Sequence, residues 1–133
     1  MVKELLVNET LTDTMIKSGA QLIRELDKQG ADVSSAFWFY VSEEEIWKLI
    51  FVSQKISEEG PRSYYKRIME ANKKLGRKLE KISLNDIGVS SLDHGIVQLL
   101  RMMIQVDGLG GVRFSKNTIN GHYIDDVYIY RMK

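Results

Sequence analysis

The chain has 133 residues, of which 44% are apolar and 28% charged, which fits one globular domain large enough to bury most of its unfolded surface without a staple. Its formal net charge of +1 excludes a global electrostatic pull on nucleic acid or an anionic membrane, so any such role needs a local patch. It contains no cysteine, which excludes disulfides, thiol nucleophiles and thiolate metal sites and suits a reducing compartment. The start, Met1 to Val7, lacks the apolar run of a signal peptide. No stretch approaches the ~20 apolar residues that span a bilayer, because the longest candidate, Gly95 to Val106, carries Arg101. The expectation is a cytoplasmic protein with no membrane role.

A first helix begins after Thr10 or Thr12, either of which can cap it, with Asp13 placed where the helix dipole favours negative charge. Leu11, Met15, Ile16, Leu22, Ile23 and Leu26 recur at helical spacing, and Gly30 stands where a glycine stop belongs. Val33 to Val41 reads as a strand, and Ala36 to Val41 is apolar on both faces. That pattern marks an interior strand covered on both sides, or one with a face used for association. Ser42-Glu43-Glu44 turns the chain into a second strand, Ile46 to Ser53, so the two form an antiparallel hairpin.

Ser57 to Gly60 reads as a loop, and Pro61 fits the first turn of a second helix carrying Tyr64, Tyr65, Ile68, Met69, Ala71 and Leu75. Gly76 is placed to end that helix. Ile82 to Val89 has room for a short third strand. Ser90 or Ser91 can cap a third helix, apolar over most of its circumference, which is either central or part of an interface. Asp107 to Gly111 breaks it. The last segment is two strands, Val112 to Ile119 and His122 to Met132, joined by Asn120-Gly121. Asn-Gly is a strong hairpin signal because both central residues of a type I′ turn need positive φ. The order α-β-β-α-(β)-α-β-β predicts an α+β fold: a four- or five-stranded, mostly antiparallel sheet with two to three packed helices.

Five groups of residues invite a functional reading. The basic stretch Lys66, Arg67, Lys73, Lys74, Arg77, Lys78 and Lys81, against only Glu70 and Glu80, could neutralise phosphates while Tyr64 and Tyr65 stack on bases. The plainer reading is the solvated side of an amphipathic helix. The loop Gly108 to Gly111 leads from a helix into a strand, the wrong polarity for a phosphate cradle. His94 and His122 are the only histidines, and strand residues 122 and 125 point to opposite faces, so His122 and Asp125 do not make a metal pair. Glu45 and Lys48 have the wrong spacing for a strand-borne nuclease pair. The pair Asp125-Asp126 in an otherwise apolar strand is the most unusual polar placement.

The sequence shows no cofactor or metal motif, and an enzyme built around His94, Arg113 and one aspartate has no supporting spacing. The reading it favours is an interaction module, oligomeric or part of a complex. Its large apolar groups, Trp38, Trp47, Phe37, Phe39, Tyr128 and Tyr130, with a nearly all-round apolar third helix, are generous for one small core and point to a protein partner or to self-association, with Trp38, Tyr40, Met102 and Met103 as the interface candidates. Nucleic acid is the alternative partner, through the basic stretch.

Overall fold

A computed structural model describes residues 10–75, 82–105 and 110–133. The helices among them are α1 (Asp13–Lys28), α2 (Gln54–Glu59), α3 (Pro61–Lys73) and α4 (Gly95–Met103). The strands are β1 (Ser35–Val41), β2 (Ile46–Val52), β3 (Ile87–Ser90), β4 (Val112–Ile119) and β5 (His122–Met132). They form one sheet in the order β3-β2-β1-β5-β4, so the fold is α+β.

Thr12 caps α1 by accepting from the Met15 N–H at 3.1 Å, and Gly30 ends the turn after it at φ +69°. β1 lies at the centre of the sheet, which is why Ala36 to Val41 is apolar on both faces. One face packs against α1 and α3 through Ala36, Trp38, Leu49 and Phe51. The other packs against α4 through Phe37, Val52, Val127 and Ile129.

Three expectations need correction. The sheet is mixed: β1–β2, β1–β5 and β4–β5 are antiparallel, but β3 runs parallel to β2. Helices α2 and α3 intervene and carry the chain back, which is what a parallel return requires. The expected loop at Ser57 to Gly60 is instead the end of α2. Ser53 leaves the second strand to cap that helix, accepting from the Lys55 N–H, and Gly60 stops it at φ +90°. Neither Ser90 nor Ser91 caps α4. Ser90 is used in β3, opposite Val52, and the N-cap is His94, whose side chain makes no capping hydrogen bond. The expected stop at Gly76 lies outside the described residues.

Two backbone irregularities shape the carboxyl-terminal hairpin. The β1–β5 register shifts between Ala36, opposite Arg131, and Phe37, opposite Ile129, leaving Tyr130 as an extra residue on β5. Such a bulge lets consecutive side chains share a face. Lys116 in β4 adopts φ +49°, a left-handed conformation unusual for a residue with a side chain. Phe114 pairs with Val127 before it, and Asn117 pairs with Ile124 beyond it. Strict alternation would put Val127 and Ile124 on opposite faces, yet both join the cluster around α4, as does Ile119. The hairpin tip is thus turned toward α4.

Candidate protein-interaction surface

α4 is a nine-residue helix that faces in two directions. Val97, Leu99 and Leu100 are buried against the sheet. Gly95, Gln98, Arg101, Met102 and Met103 are exposed, and Arg101 is the only charged residue in the helix. Met102 is 71% exposed and Met103 57%, and on the hairpin tip Tyr123 is 61% exposed. Between helix and tip lies an open groove of about 320 Å³, lined by Gly95, Ile96, Gln98, Leu99, Met102 and His122. Methionine is flexible and polarisable, so an exposed pair beside an apolar groove is suited to packing against a second surface.

The structure separates the four residues that the sequence singled out as an interface. Met102 and Met103 are on this surface. Trp38 is not: it is 1% exposed, and its indole N–H donates to the Tyr130 hydroxyl at 2.9 Å. A side chain enclosed by its own core has no area left for a partner, so the interface expectation is corrected for Trp38. Tyr40 is half-buried on the face that packs against α1, its ring 5.3 Å from that of Trp47. Gly95, Gln98 and His122 were not singled out for this surface, because the approach of the hairpin tip to α4 depends on the Lys116 conformation, which no sequence pattern announces.

The basic stretch is divided as well. Lys66, Lys73 and Lys74 are exposed on or just past α3. Arg67 is engaged by Glu59 through two hydrogen bonds, at 3.1 and 2.6 Å, and that pairing raises the arginine pKa and lowers the glutamate pKa. Arg77, Lys78 and Lys81 lie outside the described residues. The stacking role imagined for the tyrosines is corrected: Tyr64 is fully buried and donates to the Ala31 carbonyl, and Tyr65 is half-buried and donates to the Ile87 carbonyl.

Of the remaining polar candidates, Asp125, Asp126 and Arg113 are occupied within the fold, while His94 and His122 are exposed. Asp125 accepts from the Ser42 hydroxyl at 3.0 Å. Asp126 receives the Arg113 guanidinium at 3.0 and 2.7 Å and the Ser115 hydroxyl at 2.9 Å, and the carboxylate holds the Arg113 pKa above its ordinary value. Arg113 also lies over the Trp47 ring, 5.6 Å from its centroid. His94 sits at the start of α4, whereas Arg113 reaches Trp47 in the cluster beneath α1, so the sheet divides them. Among the described residues no three histidine, aspartate or glutamate side chains come together as a metal site. No described helix is long and apolar enough to cross a membrane.

No family model matches the chain, and no curated protein and no solved structure is significantly similar to it.

Proposed function

We propose that this protein is a small cytoplasmic interaction module that associates through the outer face of α4 and the tip of the β4–β5 hairpin. The observation that carries the reading is the exposure of Met102 and Met103 beside the apolar groove. Large apolar side chains grouped on a surface mark contact with another molecule. The sheet edges favour the helix surface over strand pairing. β3 is only four residues long, and β4 is interrupted at Lys116 and carries Arg113 and Lys116. Short, kinked and charged edges resist edge-to-edge addition. The nucleic-acid reading has lost the stacking of Tyr64 and a free Arg67, and retains three exposed lysines among the described residues.

The lack of cysteine gives a clean test. Met102→Cys and, as a control, Lys66→Cys each introduce a single reactive thiol. If association covers α4, labelling at position 102 slows as protein concentration rises to tens of micromolar, while labelling at position 66 stays constant. Equal, concentration-independent rates at both positions would overturn the proposal.

A further inference from the structure

Resting on the docking surface proposed above, we infer that its occupant is a second copy of this chain, with the two α4 helices packed antiparallel about a twofold axis near Gln98. The groove contains a projection and a notch on one side of the helix. The projection is Met102, 71% exposed. The notch is Gly95, where an added Cβ would meet nothing within 4 Å. Seven residues separate them, which is two helical turns and about 10 Å along the axis. The midpoint falls at Gln98–Leu99. A twofold axis there lays each Met102 over the partner copy's Gly95, where no side chain stands in the way.

Charge follows the same symmetry. Asp93 precedes α4 and Arg101 lies in its last turn; both are exposed, and neither enters a salt bridge among the described residues. About the axis at Gln98–Leu99, antiparallel packing sets Arg101 of each copy opposite Ile96 of the other, three residues from Asp93 and within reach of the long arginine side chain. Parallel packing would set like charges side by side. Gln98, exposed at the centre, has an amide that both donates and accepts, so it can bond its own symmetry copy. An isologous contact needs a surface complementary to itself in this way.

The test is sedimentation of the full chain with charges reversed at the two ends. Arg101→Glu faces two carboxylates toward each other across the interface, and Asp93→Arg faces two cations. Each variant alone is expected to self-associate roughly tenfold or more weakly than the wild type, since both symmetry-related pairs turn repulsive. An equimolar mixture of the two is expected to recover the dimer as a heterodimer, because every reversed charge then meets its opposite. Gly95→Leu, for which the monomer has room, fills the notch and is expected to abolish the dimer. A wild-type dimer that Met102→Asp with Met103→Asp disrupts, combined with a mixture no tighter than either charge variant alone, overturns the antiparallel geometry and leaves the proposed surface standing. A wild-type monomer at tens of micromolar overturns both.

Discussion

Tyr130 and Arg131 are neighbours on one strand, yet both side chains reach α1. The Tyr130 hydroxyl donates to the Ile16 carbonyl at 2.6 Å, and the Arg131 guanidinium grips the Asp27 carboxylate at 3.0 and 2.9 Å. Regular alternation would send one of the two to the α4 face. The bulge at Tyr130 removes that conflict and fixes α1 to the sheet at two points, near its first turn and near its last.

The first point is testable through the hydroxyl. Tyr130→Phe keeps the ring but leaves the buried Trp38 indole N–H without its acceptor. An orphaned buried donor costs about 1–3 kcal/mol, so urea denaturation should show a stability lower by about 2 kcal/mol, seen as a reduced Cm at an unchanged slope. Gly19→Ala should act in the same direction, because its new Cβ would fall on the Tyr130 hydroxyl. An unchanged Cm in both variants would mean that this junction does not hold α1.

The second point depends on charge. Arg131 is 8% exposed and its Nη1 also donates to the Val33 carbonyl. Asp27→Ala leaves that guanidinium without its counter-ion. Because the Asp27 side chain is 39% exposed, the loss should fall below that of a fully enclosed pair, at about 2 kcal/mol. Asp27→Asn retains an acceptor and should restore part of it. Chemical denaturation of the three proteins side by side checks the order wild type, Asn, Ala.

Stability should fall in alkali. Burial pushes the Tyr64 pKa from 10.0 up to about 12 and raises that of Tyr130 as well. Below about pH 10 both phenols are protonated in the folded and unfolded chain, and their contribution is fully present. Above it the unfolded chain releases protons that the native state retains, so stability drops by about 1.4 kcal/mol per pH unit for each group until the native phenol ionises. For Tyr64 that window closes at about pH 12. Cm measured from about pH 8 to about pH 11 should be level at first and then decline, less steeply in Tyr64→Phe. A level Cm throughout would show that these phenols are not sequestered.

Much of the frame was legible in the residues because local chemistry decided it. Thr12, Gly30, Pro61 and Asn120-Gly121 each have a geometric reason to stand where they do, and the two apolar faces of Phe37 to Tyr40 announced a central strand. What escaped was set by distant parts of the chain. Ser53 looks equally suited to a strand end and to a helix cap, and packing of Ile56 against the core decides for the cap. The direction of β3 depends on the helices before it. Trp38 reads as surplus only until Tyr130 is placed against it. Met102 and Met103 were visible as candidates because they end a helix that reads as apolar over most of its circumference, more than one core face can use. Their neighbours Gly95 and His122 were not, since a glycine and a histidine gain meaning there only from the hairpin tip lying alongside.

The claim that α4 is an interaction surface is tested most directly by sedimentation equilibrium of the full chain from the low to the high micromolar range, alongside the double variant Met102→Asp with Met103→Asp. Both side chains are exposed, so the substitutions should leave folding nearly unchanged. A concentration-dependent rise to the dimer mass is expected for the wild type and a constant monomer mass for the variant. A wild type that stays at the monomer mass across the range, or a variant that associates equally well, would contradict it.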